Sequence, residues 1–512
     1  MRQILFAAVS TFAATLAFAR PAWTALNAQA RREALVPIRP GQPGKAPFWN
    51  DNARAFIHPP AFSFTNVAGA ASYRMTLTPE KGAPVSWTVS APWTPLKADV
   101  WNGLAPAYYT VKAEGLAANG TSVGCAGERK FYRAAVFKGP YALAKSDYRT
   151  AAKRVYASVF NLTHVQAWAT NDDPPKGYDL YCYPAKILSS MIRALVRHAK
   201  YEPKDAAQAL ALARKMADWM IAQSQPADAP LAHCPPTYWG DRRVTAVKWR
   251  GQNMLSYPTH AANAYFDLAE ATGDAKYRDA ALNIARTFVK IQEADGSWPL
   301  KVYEKDGKPV RANRLVPGRY VFRMLDVAAQ VSGDAAFIRA ADKAFGFLLK
   351  GPCVTWNWDG QFEDIDPLPP YKNLQKGAPV DTANRIFAKG VDVKLALELV
   401  TWCEDQFTVW SDPIHHMDWK NWKMPTALEQ YEYYTPIDAS MGDMIGAYAA
   451  AYKATKDPLL LQKGKALADN VTRQQRADGT IPTYFDSRKG SDWVNCMVYV
   501  ADRLEALADA EQ

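Results

Sequence analysis

The sequence predicts a mainly α-helical protein whose paired helices close into a ring, with a small β-sandwich in front. Three observations carry that prediction. Helical periodicity runs from about residue 141 to the end, a helix–turn–helix unit of roughly sixty residues recurs within it, and residues 53–136 show short alternating strands instead. A length of 512 residues excludes one small domain, and 49% hydrophobic with 22% charged residues excludes a disordered chain.

Taken in order, residues 1–19 read as a signal peptide. Arg2 precedes an apolar run from Ile4 to Phe18, and Ala17-Phe18-Ala19 offers a small-x-small cleavage site after Ala19. A secreted or periplasmic location follows, and no other stretch is long and apolar enough to span a bilayer. Pro21, Pro37, Pro40, Pro43 and Pro47 mark residues 20–52 as an extended linker. Over 53–136, Gly69, Gly82 and Asn119-Gly120 separate strand-like runs, which is the pattern of a small antiparallel sandwich. The pieces "SYRMTL", "WTPL" and "LAPAYYTVKAEG" resemble a fibronectin type III or immunoglobulin-like module, and the resemblance implies a spacer without chemistry of its own.

The repeat is clearest in "YFDLAEATGDAKYRDAALNIARTFVKIQEADGSWP" (265–299), with echoes from 195, 325 and 448. In each copy a helix ends at a short turn and an Asp caps the next helix; the capping residues are Asp205, Asp274, Asp334 and Asp457. The gap between Asp334 and Asp457 is twice a repeat, so a further copy is expected around 391–402, and 147–161 with a partner supplies another at the front. About six hairpins result, and because none buries its apolar stripe alone, they must stack, with a closed ring favoured over an open solenoid. The loop pieces "QEADGSWP" and "QQRADGTIP" and the "LAEATGD" turn resemble the (α/α) toroid enzymes: polysaccharide lyases, unsaturated glucuronyl hydrolases and uronyl epimerases. The resemblance covers the chain from about 146 onward and implies an (α/α)6-type toroid at 141–512; it is specific for architecture and not for reaction.

If the short turns share one side of the ring, the long connections collect on the other. They are rich in aromatic residues. His233, Tyr238, Trp239, Trp298, Trp356, Trp358, Trp419, Tyr433 and Tyr434 are the candidates for stacking on sugar faces, although sealing loops against the ring explains many such Trp residues equally well. Lys+Arg number 61 against 50 Asp+Glu, a net charge of +11 that favours an anionic partner. Export argues against nucleic acid, which leaves an acidic polysaccharide or oligosaccharide, with no membrane partner. Arg242, Arg243, Lys248, Arg250 and Lys301 are the cations suited to its carboxylates or sulfates.

Three segments carry candidate chemistry. In "KWRGQNMLSYPTHAANAYFDL", Arg250 and Asn253 precede a helix on which Tyr257 and His260, three apart, share a face. β-Elimination from a uronic acid needs a base, a donor to neutralise the carboxylate and an acid for the departing oxygen, roles that His, Arg or Asn, and Tyr can fill. The resemblance implies such Asn, His and Tyr sets, while a structural hydrogen-bond role for His260 competes. In "TWNWDGQFEDIDP", Asp359 and Glu363 could serve as the paired carboxylates of a hydrolase; with Asp364 and Asp366 they equally suit a Ca²⁺ ion, sugar hydroxyls or capping. In the third, "HHMDWKNWKMPTALEQYEYYTPIDASMGD", adjacent His415 and His416 point apart and give weak support for a metal, and Asp438 and Asp443 flank a helix start. The six cysteines show no metal-ligand spacing and favour buried free thiols over disulfides. No cofactor is expected, with a divalent cation such as Ca²⁺ left open. The sequence therefore points to a polysaccharide lyase acting on a uronic-acid polymer, with a glycoside hydrolase led by Asp359 and Glu363 as the alternative and a noncatalytic polysaccharide-binding protein as the third reading.

Overall fold

The computed structural model describes residues 22–40, 48–365, 370–411, 421–486, 488 and 492–512. The readings of 1–19, Asp366, His415, His416 and Trp419 lie outside the described residues.

The segment read as an extended linker contains a helix, α1 (Trp23–Glu33). Its sequence precedes the cluster of prolines and places Leu26, Ala30 and Ala34 four residues apart, a stripe that buries against the helix Pro458–Gln474. Asn27 fastens it to residue 139 by donating to the Gly139 carbonyl at 2.8 Å and accepting from the Gly139 amide at 2.9 Å.

The β-sandwich expectation is corrected to a single sheet. Among the described residues, 53–136 form five strands, β1 (Ala55–Phe56), β2 (Ser72–Pro79), β3 (Val85–Val89), β4 (Ala107–Leu116) and β5 (Ser122–Arg133), in the order β1-β5-β4-β2-β3. β1 runs parallel to β5 and the other pairs are antiparallel. Tyr73, Met75 and Leu77 alternate inward on β2, as do Tyr109, Val111 and Ala113 on β4. The rings of Phe56, Phe62 and Trp101 pack on Phe131 and supply the apolar cover that a second sheet would otherwise provide. The sheet leans on the helical part where Asp405 Oδ1 accepts from the amides of Ile57 at 2.6 Å and His58 at 2.8 Å.

Among the described residues twelve longer helices follow: α2 (Tyr148–Asn161), α3 (Pro184–Tyr201), α4 (Ala206–Ala222), α5 (Ser256–Thr272), α6 (Ala275–Ile291), α7 (Arg319–Ser332), α8 (Ala335–Lys350), α9 (Gly377–Lys389), α10 (Val393–Phe407), α11 (Asp438–Thr455), α12 (Pro458–Gln474) and α13 (Val494–Ala510). α3, α5, α7, α9, α11 and α13 form an inner circle in which each packs on the next and α13 returns to α3. α4, α6, α8, α10 and α12 back the inner helix that precedes each of them. The ring is closed, and the copy expected near 391–402 is the α9–α10 hairpin. The front copy differs from expectation: α2 is an outer helix that precedes its inner neighbour α3 and packs on both α3 and α13.

Asp274, Asp334 and Asp457 cap α6, α8 and α12 by accepting from backbone amides, and Asp392 does the same for α10. Asp205 does not cap α4. Its own backbone already takes right-handed helical angles, and its carboxylate lies 3.1 Å from His198 Nε2 instead. All six cysteines are free. Because every inner-to-outer turn is short, the long connections meet at the N-terminal ends of the inner helices, which makes that face the place for a site.

Candidate active site

The first turns of the inner helices direct charged and aromatic groups toward the ring axis. Pro258 occupies the first turn of α5, where its missing N–H costs nothing, and Tyr257 and His260 share a face with their rings 5.4 Å apart, edge to face. Lys186 stands in the first turn of α3, and Arg319 and Tyr320 open α7.

Glu363 reaches this face from the connection between α8 and α9. Its Oε1 accepts from Lys186 Nζ at 2.6 Å and its Oε2 from the Tyr257 hydroxyl, while its backbone carbonyl accepts from the Tyr238 hydroxyl at 2.8 Å and Lys301 Nζ at 3.4 Å. One residue thereby ties two inner helices and three loops together. Burial opposes the charge of Glu363, but Lys186 and the two side-chain hydrogen bonds outweigh it and hold the carboxyl below the usual range. Burial, followed by the Glu363 charge, pushes the Tyr257 hydroxyl well up, so Tyr257 is a donor and not a base near neutrality.

Beside this cluster lies a cavity of about 240 Å³ lined by His260, Arg319, Tyr320, Asp381 and Tyr499, with Gln361 and Phe362 from the Glu363 loop. The His260 ring sits 3.7 Å from the Tyr320 ring, tilted by 32°. Burial first, and then Arg319, Lys186 and Arg193, depress its imidazole well below the ordinary value, which leaves it neutral. The Arg319 guanidinium donates to the Tyr320 hydroxyl and is sandwiched between the Tyr320 and Tyr499 rings at 4.3 and 4.0 Å. The Arg319 amide donates to Asp381 Oδ2 at 2.9 Å. Beneath, Arg193 pairs with Asp267 at 3.1 Å and Asp502 at 2.8 Å and lies 3.5 Å from the Tyr320 hydroxyl, so an ionic floor fixes the base of the cavity. A larger cavity of about 860 Å³ lies under residues 33–39 against α10 and α12, away from the loop face, and contains none of these groups.

Two further carboxyls have shifted protonation. Burial raises Glu429 to about 7 against the pull of Lys376 and Lys186, and burial with the neighbouring Glu363 charge raises Asp364. Glu363 is held ionised while both of these are displaced toward the neutral acid, a divergence that suits acid–base work.

The remaining sequence candidates have other places. Asn253 donates to the Pro235 carbonyl at 2.9 Å and to Glu304 at 3.3 Å, and Arg250 donates to the Gly240 carbonyl at 2.6 Å; both brace loops. Asp359 accepts from the Tyr371 amide at 2.9 Å and is raised to about 7 by burial, and no contact joins it to Glu363. Trp298, Trp356 and Trp358 are corrected from sugar-stacking positions to loop seals, since each is fully buried; Trp298 donates to the Phe288 carbonyl at 2.9 Å. Tyr434 is buried as well, stacked on Tyr431. Tyr433, Trp239 and His233 remain partly exposed; Tyr433 accepts from Arg488 at 2.9 Å, Trp239 packs edge to face on Trp219, and His233 takes a positive φ of 64°. Among the described residues, no group of three or more His, Cys, Asp or Glu is placed to hold a metal ion, so Asp359, Glu363 and Asp364 do not assemble as a Ca²⁺ cage.

No family model matches the chain. No curated protein matches it either. Solved structures similar to it include a family 76 glycoside hydrolase from a bovine Bacteroides thetaiotaomicron strain (10% identity, 88% of this chain and 95% of that one, TM-score 0.45). An unsaturated glucuronyl hydrolase specific for heparin is similar at 9% identity, 71% and 97% coverage and a TM-score of 0.45. A polysaccharide lyase is similar at 10% identity, 86% and 63% coverage and a TM-score of 0.47. These values assign the chain to no family and transfer no activity to it.

Sequence reasoning missed Lys186, Arg319, Tyr320, Asp381, Glu429 and Tyr499. The signal was present in "YPAKILSSMIR" and "VNCMVYVADRLEAL", where single charged groups interrupt the apolar stripe of a helix that is buried on all sides.

Proposed function

We propose that the protein is an exported carbohydrate-active enzyme that cleaves a uronic-acid-containing saccharide by β-elimination. The observation that carries this reading is a neutral His260 in the wall of a cavity that also presents the Arg319 guanidinium and the Tyr320 hydroxyl. In this mechanism the uronate carboxylate pairs with Arg319, which acidifies the adjacent C5–H. His260 removes that proton, the C4=C5 double bond forms, and the C4–O bond breaks with a proton passing to the departing oxygen from Tyr320. Of the cations that depress His260 after burial, Arg319 is the one the substrate carboxylate would neutralise, so binding raises the basicity of the imidazole when it is needed. Tyr257, which the sequence placed beside His260 as a catalytic group, instead orients the site through Glu363. Export rests on the apolar run from Ile4 to Phe18.

The test is incubation with a panel of uronate polymers. Ultraviolet absorbance from a 4,5-unsaturated uronide is the expected product signature, and the absence of that absorbance alongside release of saturated reducing ends carrying oxygen from water would replace elimination with hydrolysis. The hydrolytic reading has its own support, the divergence of Glu363 from Glu429 and Asp364.

A further inference from the structure

Two loop segments next to the cavity hold a disproportionate share of the chain's positive charge. Residues 240–255 and 300–314 contain nine Lys or Arg against three Asp or Glu, a local net charge of +6 against +11 for the whole chain, in a small fraction of its length. The fold brings these segments side by side, since Gln252–Met254 pairs antiparallel with Lys301–Tyr303. The second segment continues as a tight hairpin, with the Tyr303 amide donating to the Lys308 carbonyl at 2.9 Å and the Gly307 amide to the Tyr303 carbonyl at 2.8 Å. Gly307 takes a φ of 70°, a left-handed conformation that suits glycine in such a turn.

The cations singled out from sequence are not all on the surface. Lys301 is buried, and Arg242 is bound to the carbonyls of Pro174, Pro175 and Tyr178. The exposed charge is on Lys248, at the end of the short helix Val244–Lys248, and on Lys305 and Lys308 at the hairpin tip. Tyr303 presents an exposed ring, with Lys305 Nζ 5.8 Å from its centroid. Both segments run directly into the cavity wall: Leu255 leads to Ser256 and His260, and Arg314 leads to Leu315 and Val316.

We infer that this hairpin and the neighbouring helix form a docking strip for an anionic polysaccharide, holding the sugar units beyond the one in the cavity through Lys248, Lys305 and Lys308 while Tyr303 stacks on a sugar face. The inference rests on the reading of the cavity as the reactive centre for an acidic saccharide. A strip of exposed, unburied cations suits a flexible polyanion, because each contact is weak and the affinity comes from several acting together.

The experiment uses the full chain and polygalacturonate as probe, with dextran as the neutral control, and measures binding by affinity electrophoresis at low and high salt. A Lys248→Glu/Lys305→Glu/Lys308→Glu variant is compared with Lys200→Glu/Lys204→Glu/Lys453→Glu, which makes the same change in net charge at the opposite end of the ring. The expected result is about a tenfold loss of polygalacturonate affinity at low salt for the first variant only, with little remaining salt dependence. Equal losses in the two variants, or none in the first, overturn the strip. Binding is read without turnover, so loss of binding in the first variant with no unsaturated product from wild type upholds the strip and rejects elimination. The converse pattern does the reverse.

Discussion

Lys186 and Glu363 meet at 2.6 Å at the mouth of the ring, one from the first turn of an inner helix and the other from the connection between α8 and α9. Because Glu363 is almost wholly buried and Lys186 largely so, neither charge can return to water when its partner is lost.

Glu363→Gln should therefore cost about 3 kcal/mol of stability, the scale of breaking a buried pair by removing one member. Denaturant unfolding checks this, and adding Lys186→Met should recover part of the loss, since the double variant leaves no stranded charge.

His260→Gln should lower turnover by about 10²-fold or more while leaving the melting temperature nearly unchanged. The imidazole is depressed in the fold relative to its ordinary value of 6.5, so its stabilising contribution is present above that value and fades as pH falls below it. Thermal melts of wild type against His260→Gln across pH 7 to pH 4 should show the wild type losing more on the acid side; parallel curves would contradict the assignment.

Glu429 behaves in the opposite sense. Its carboxyl is raised to about 7 from an ordinary value of 4.5, so the folded state is favoured below 4.5 and loses that advantage as pH rises through 7. Glu429→Gln should remove this slope and be the more stable protein at pH 8 by about 3 kcal/mol, at about 1.4 kcal/mol per pKa unit. Chemical denaturation at pH 5 and pH 8 measures both ends.

Trp298→Ala should cost about 3 to 5 kcal/mol and impair every property in proportion to unfolding, because the ring is core. Tyr303→Ala, at an exposed ring, should leave stability within about 0.5 kcal/mol and act on polymer affinity alone.

The ring and its hairpins were legible because their cause is local. Asp274, Asp334 and Asp457 stop and start helices through bonds to amides two residues on, and such signals survive in a single sequence. The pairing of Tyr257 with His260 was legible for the same reason, being set by helix geometry. Glu363 was legible as a candidate but not in its role, since its partners Lys186 and Tyr257 are 177 and 106 residues away. The tryptophans were read too generously: composition places Trp298, Trp356 and Trp358 in loops, and only the packed structure says that those loops fold back on the ring. The second sheet was over-read because alternation in β2 and β4 reports one buried face and does not specify what covers it.

The pairing of α2 with α13 completes the outer layer of the ring, with the Tyr156 hydroxyl bonded to Asp502 at 3.1 Å and Glu505 at 3.0 Å. Tyr499 lines the cavity and Arg503 braces it through Asp381, so one wall of the cavity belongs to the same helix that α2 holds in place. Loosening the seam between α2 and α13 would therefore open the cavity on the side that Tyr499 supplies, leaving His260 and Arg319 in place but exposed to water.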